Sequence, residues 1–336
     1  NKFFIIYLLI IFIDIIIYFM SKRLVIPHPI EITDNQIKQL KDELSHYDIV
    51  VKYYVDEPTS REQIIERIKD ANYLMIAVLH LNADILSYAK NLEYISITFT
   101  GYDHVDIEYC KTHNIKVSNA AGYSTTAVAE LTIAMGIMLF RQIIPQYLSL
   151  KTSGDRINIP GRELYGKTWG VIGYGNIGKK VVEYAKYLGC NVIVYTRSAH
   201  ADEKDIMFVT KEYLLKNSDI ISLHIPLNSE TRHFISYEEF SLMKKDAILI
   251  NTARALIVDQ EAMKDALINK TISAVATDVL ENDPPIDPQY LLLHIDNLFA
   301  LPHIGYYTNE ALERRADIGI RNLINYLNGN ITNEVG

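Results

Sequence analysis

The reading of the fold turns on Thr168-Trp169-Gly170-Val171-Ile172-Gly173-Tyr174-Gly175-Asn176-Ile177-Gly178. A short apolar run of strand length ends in G-x-G-x-x-G and passes into a helical pattern that reaches Leu188. In such a turn one glycine makes the tight bend, the next lets backbone approach a pyrophosphate, and the third lets helix pack on strand. The helix start adds free N–H groups and a partial positive charge. A second apolar run, 191–195, arrives at the spacing of a βαβ unit. Together these predict a dinucleotide seated on Gly173, Tyr174, Gly175, Asn176, Ile177 and Gly178.

Outward from this loop, apolar runs at 219–224, 247–251, 273–277 and 297–301 continue the strand series, most of them separated by helical patterns. Upstream, runs at 24–26, 49–55, 73–79, 94–99 and 115–118 alternate with amphipathic stretches such as 60–70, where Ile64, Ile65 and Ile68 share a face. This is a second βα-alternating unit in which a parallel sheet is expected. A long helix is predicted over 123–140, capped by Ser124 or Thr125, and a polar Gly- and Pro-bearing stretch follows at 151–166. A last helical pattern, 308–327, is expected to return to the first domain.

The chain of 336 residues is longer than one hydrophobic core usually serves, so two domains are expected. An apolar fraction of 49% and a charged fraction of 22% describe an ordinary globular protein. A net charge of −8 and a pI near 5.7 argue against a nucleic-acid partner. Cys110 and Cys190 form no C-x-x-C pair, which argues against a disulfide framework and a thiolate zinc site and fits a reducing, cytoplasmic setting. Residues 3–20 are apolar except for Asp14, close to the roughly 20 residues of a membrane span. Their single basic flank, internal acid and lack of a small-residue cleavage pattern make a poor signal peptide. Residues 1–19 are therefore expected to lie outside the fold, with a membrane anchor as the alternative.

Where many NAD enzymes carry an acid for the adenosine ribose, this chain reads Tyr195-Thr196-Arg197-Ser198. With no carboxylate to repel a 2′-phosphate and Arg197 able to bind one, NADP(H) is favoured over NAD(H). The alternative is that Arg197 stacks on adenine or faces water while NAD is bound.

Five segments in order then carry a resemblance: Gly101-Tyr102-Asp103-His104-Val105-Asp106, Gly122-Tyr123-Ser124-Thr125-Thr126-Ala127-Val128-Ala129-Glu130, Ser218-Asp219-Ile220-Ile221-Ser222-Leu223-His224-Ile225-Pro226-Leu227, Asn251-Thr252-Ala253-Arg254 and Leu301-Pro302-His303-Ile304-Gly305. With the glycine loop they resemble the D-isomer-specific 2-hydroxyacid dehydrogenase family from Met20 to the C-terminus. The resemblance implies an α/β protein of two Rossmann-like or flavodoxin-like domains with parallel sheets and a cleft between them. It divides the chain into a substrate-binding domain of 20–121 with 306–336 and a dinucleotide-binding domain of 122–305. It also implies a homodimer formed through the region 123–140.

By the same resemblance Arg254 binds the substrate carboxylate and carbonyl, and His303 is the acid/base that protonates the carbonyl oxygen. The family's Glu is replaced by Asp283, which keeps a carboxylate to orient the His303 ring but is one methylene shorter; Glu281 is the other candidate, and both acids could instead cap a proline turn. Backbone N–H groups around Thr100 and Gly101 are implied as further substrate contacts. Thr252, Ala253 and Asp278 are placed beside the cofactor, with Asp278 near the nicotinamide end. Asp103 and Asp106 read as turn and cap residues and His224 as structural, while His104, His113 and His233 carry no signal.

The implied reaction is hydride transfer between the cofactor and a small 2-keto or 2-hydroxy acid, with glyoxylate or hydroxypyruvate reduction leading and phosphoglycerate or longer acids open. A formate dehydrogenase is disfavoured, since that branch carries Gln at the position of Asp283. The rival of a different class is a dinucleotide-sensing protein without turnover.

Overall fold

The computed structural model describes residues 21–197, 205–281 and 286–335. They divide into two compact units, one running to Tyr123 and resuming at Asn309, the other comprising Ser124–Thr308.

The first unit holds a parallel sheet of β1 (Lys22–Ile26), β2 (Ile49–Tyr53), β3 (Tyr73–Ile76), β4 (Tyr94–Ile97) and β5 (Lys116–Asn119), in the order β2-β1-β3-β4-β5. β3 and β4 are buried at every position, as strands covered on both faces must be. One face packs Val25, Leu74, Ile95 and Val117; the other packs Leu24, Met75 and Tyr94 against Ile320 and Leu323 of the final helix, Asn309–Leu327. That helix is fastened to the sheet by polar contacts as well. The Ser96 hydroxyl donates to the Gly319 carbonyl at 2.9 Å, and Asn322 Nδ2 donates to the Asn119 carbonyl at 2.8 Å. Thr33 and Gln36 form a reciprocal capping box that starts the helix Asp34–Ser45. Asp106 caps Ile107–Thr112 by accepting from the Tyr109 N–H at 2.9 Å, the role its spacing predicts.

The second unit carries β6 (Thr168–Ile172), β7 (Asn191–Tyr195), β8 (Met207–Phe208), β9 (Ile220–Leu223), β10 (Ile248–Asn251), β11 (Ala274–Thr277) and β12 (Leu298–Ala300), all parallel, in the order β12-β11-β10-β9-β6-β7-β8. The order reverses between β6 and β9, so the crevice above their carboxyl ends is the place where an open sheet of this kind receives a ligand.

Strands predicted at 49–55 and 73–79 end at Tyr53 and Ile76, the latter because the Ala77 N–H leaves the ladder to donate to His28 Nε2 at 3.0 Å. The long helix is Thr125–Phe140, and Ser124 stands at its N-cap without a side-chain capping bond. After Arg141 the chain turns through Gln142 in the left-handed region (φ 52°) and starts a further helix, Ile143–Ser153, where the polar stretch had been expected to be the next feature. Among the described residues no single helix is long and apolar enough to cross a membrane, although Thr125–Phe140 and Ile143–Ser153, bent by 54°, pass together by length and composition. Residues 1–19 lie outside the described residues, as do Ser198 and Asp283.

Candidate active site

The glycine loop occupies the carboxyl end of β6. Gly173 adopts φ +99°, and a Cβ there would lie 2.4 Å from the His224 carbonyl oxygen. A Cβ at Gly178 would lie 2.0 Å from the Gly173 carbonyl oxygen, so the helix Asn176–Tyr187 can close on the strand only with glycine at that position. Gly175 differs: a Cβ there would meet nothing within 4 Å, and as N-cap it gives the first-turn N–H groups no side-chain acceptor. An open backbone face beside uncapped N–H donors fits a pyrophosphate.

The other predicted residues of this unit stand on the same edge of the sheet. Thr196 and Arg197 follow β7, His224 follows β9, Thr252, Ala253 and Arg254 follow β10, Asp278 follows β11, and His303 lies three residues beyond β12. A hydrogen-bonded chain ties the last three strand ends together. The Asn251 side chain accepts from the Ala253 N–H at 3.0 Å and donates to the Arg254 carbonyl at 3.0 Å, which shapes the turn that presents the guanidinium. The Asn251 carbonyl accepts from the Asp278 N–H at 2.9 Å. The Asp278 carboxylate then accepts from the N–H groups of Ile304 at 2.8 Å and Gly305 at 2.7 Å.

This clamp holds the backbone that follows His303, whose own φ of +58° is uncommon for a non-glycine residue. Asp278 is buried, and burial raises its pKa, opposed by the two N–H donors and by His303. The resemblance implies Asp278 near the nicotinamide end of the cofactor; that its carboxylate holds the backbone after His303 appears only in three dimensions. Arg254 and His303 are both half-buried, and Arg254 Nη1 donates to the Ala253 carbonyl at 2.8 Å. The Thr252 hydroxyl meets that of Thr132 at 3.1 Å. Glu281 is exposed.

His224 belongs to the scaffold of the loop. Its Nε2 lies 3.0 Å from the Ser222 hydroxyl, which also accepts from the Trp169 indole at 2.9 Å. The packing around its imidazole pushes the pKa down to about 3, so the ring is neutral at physiological pH. Arg197 is exposed and forms an ion pair with Glu230, a residue that no motif singles out. Among the described residues no group of His, Cys, Asp or Glu could hold a metal ion.

In the first unit, Thr100 and Gly101 follow β4, and the Thr100 carbonyl accepts from Asn119 Nδ2 at 2.7 Å. His104, without signal in the sequence, is buried there, and burial lowers its pKa.

Comparison with known proteins agrees with this architecture. Residues 133–305 match the family model for the NAD binding domain of D-isomer specific 2-hydroxyacid dehydrogenases. The chain is 37% identical over 282 residues to D-3-phosphoglycerate dehydrogenase of Methanocaldococcus jannaschii, covering 82% of this chain but only 53% of that longer one. It is 35% identical over 297 residues to hydroxypyruvate reductase of Thermotoga maritima, covering 87% of this chain and 94% of the relative. Among solved structures, a glyoxylate reductase from Paecilomyes thermophila superposes with a TM-score of 0.84 at 26% identity, covering 94% of this chain and 98% of the other. An acyclic imino acid reductase in complex with NADPH and D-Arg gives a TM-score of 0.84 at 28% identity, covering 94% and 100%. The chain belongs to the D-isomer specific 2-hydroxyacid dehydrogenase family and is an oxidoreductase of that type.

Proposed function

We propose that the protein reduces a small 2-keto acid, glyoxylate or hydroxypyruvate first, to the D-2-hydroxy acid, with Arg254 and His303 as the catalytic pair. The observation that carries the reading is the hydrogen-bonded chain from Asn251 through Asp278 to Ile304 and Gly305, which fixes the Arg254 turn and the His303 loop on one sheet edge. The bound nicotinamide cofactor supplies the hydride in reduction and accepts it in oxidation. Arg254 holds the substrate carboxylate and polarises the carbonyl through its guanidinium fork. His303 gives a proton to the carbonyl oxygen as negative charge develops there, and takes one back in the reverse direction. Asp278 acts through His303 by holding the backbone that follows it. Asp283 is proposed as the carboxylate partner of His303, with Glu281 as the alternative. In the first unit, the N–H groups of Thr100 and Gly101 are proposed as donors to the substrate carboxylate.

NADP(H) is proposed over NAD(H), because the described end of β7 offers Thr196 and Arg197 and no carboxylate of its own. A homodimer and a cytoplasmic location complete the reading. The helix Ile143–Ser153 buries none of its residues and exposes Ile143, Tyr147, Leu148 and Leu150, an apolar face suited to a second copy. Light scattering on the purified chain checks the dimer.

The deciding experiment is a panel of 2-keto acids with NADPH and with NADH. Turnover is expected with glyoxylate or hydroxypyruvate, and His303→Gln is expected to bind cofactor normally while losing about 10²- to 10⁴-fold in kcat. Tight cofactor binding with no oxidation across the panel would replace this reading with that of a dinucleotide sensor.

A further inference from the structure

Among the described residues the end of β7 carries no carboxylate of its own, but one from another loop, Glu230, stands beside Arg197. The loop after β9 is braced by its own side chains: the Glu230 N–H donates to Asn228 Oδ1 at 2.9 Å, the Asn228 N–H donates to Thr231 Oγ1 at 2.8 Å, and the Thr231 hydroxyl donates to the Pro226 carbonyl at 2.6 Å. Thr231 is buried, so the backbone on either side of Glu230 is anchored. From this base Glu230 reaches across 33 residues of sequence and pairs with Arg197.

We propose that Glu230 is a cofactor-selecting residue: its carboxylate competes with the 2′-phosphate of NADP(H) for Arg197 and, when no phosphate is present, accepts hydrogen bonds from the ribose hydroxyls of NAD(H). The inference rests on the proposed seating of a dinucleotide on Gly173–Gly178 and deepens it. The side chains of Arg197 and Glu230 are 61% and 68% exposed. A pair this open to solvent adds little to folding and is easily broken by a better partner. A phosphate is such a partner for a guanidinium, carrying about −1.5 to −2 charges and oxygens that match the fork. Its arrival must also push a like-charged Glu230 aside, which opposes NADP(H), whereas the ribose hydroxyls of NAD(H) can donate to the carboxylate where it stands. One fixed loop therefore sets the balance between the two cofactors.

The test compares kcat/KM for NADPH and NADH in the wild type, Glu230→Gln, Arg197→Gln and the double variant, with direct binding of each cofactor followed by nicotinamide fluorescence. Glu230→Gln is expected to raise the NADPH to NADH ratio about fivefold or more by removing the competing charge. Arg197→Gln is expected to lower the ratio, and adding Glu230→Gln to it should restore much less than the single change gains, because the competition runs through Arg197. A ratio that moves less than twofold in Glu230→Gln, with both cofactors still binding, overturns the inference and leaves the dinucleotide reading standing. Failure of the wild type to bind either cofactor removes both.

Discussion

Both sheets gather arginines near their carboxyl ends, yet the two units use them differently. In the first unit Arg67 is buried and donates to the carbonyls of Pro27 and Asp56, each at 2.6 Å, and to the Asp56 carboxylate. Arg315 is wholly buried, donates to the Ile30 carbonyl at 2.9 Å and pairs with Glu31. Its Nε and Nη1 find no hydrogen-bond partner among the described residues, and the guanidinium lies 4.3 Å from the centre of the Phe99 ring. In the second unit Arg254 is half-buried and Arg197 exposed. A guanidinium sunk among backbone carbonyls joins loops together; one that keeps access to solvent at a strand end can still meet a ligand.

The sharpest way to break this contrast is to remove one arginine from each unit. Arg254→Gln is expected to lower kcat/KM for the 2-keto acid by about 10³-fold, the loss of a charge-assisted bidentate contact, with the thermal midpoint unchanged. Arg315→Met should do the reverse, costing about 1–3 kcal/mol of stability by leaving the buried Ile30 carbonyl without its donor, read from urea midpoints, with kcat preserved in the folded fraction. A stable but inactive Arg315→Met would erase the distinction.

The smallest effect concerns histidines. Burial holds the pKa of His224 in the second unit and His104 in the first below the ordinary value of 6.5. Each folded unit therefore binds fewer protons at these sites than its unfolded chain. The stability linked to neutral His224 is fully present above pH 6.5 and is lost as pH falls from there toward 3. Between pH 6.5 and 5, His224→Gln should flatten the fall of the unfolding free energy, read from urea titrations, by at most about 1.4 kcal/mol per pH unit. An acid limb of the same slope in variant and wild type would show that His224 does not carry this linkage.

Much of this was legible in the sequence because it depends on local spacing. The strand, glycine loop and helix from Thr168 to Tyr187 are written in consecutive residues, and Asp106 announces its helix by standing one position before it. The helix Ile143–Ser153 was not seen, since its N-cap is a left-handed Gln142 with no capping side-chain bond, and its apolar residues face outward. β8, two residues long, is too short for any periodicity. The roles of Asp278 and Glu230 were hidden for another reason: their partners lie 26 and 27 residues away for Asp278 and 33 for Glu230, and nothing in their own neighbourhoods encodes the contact.

The final helix, Asn309–Leu327, is synthesised long after the strands it covers. It closes one face of the first sheet, but 185 residues of the second unit, Ser124–Thr308, are synthesised before it. At roughly 5–20 residues per second, the ribosome takes about 10–40 s to cover that interval. Throughout it the Leu24, Met75 and Tyr94 face of the nascent first unit waits for Ile320 and Leu323. The second unit, continuous in sequence, can fold meanwhile, so the later-born unit is able to finish first, while the earlier one waits for the helix Asn309–Leu327 to be made.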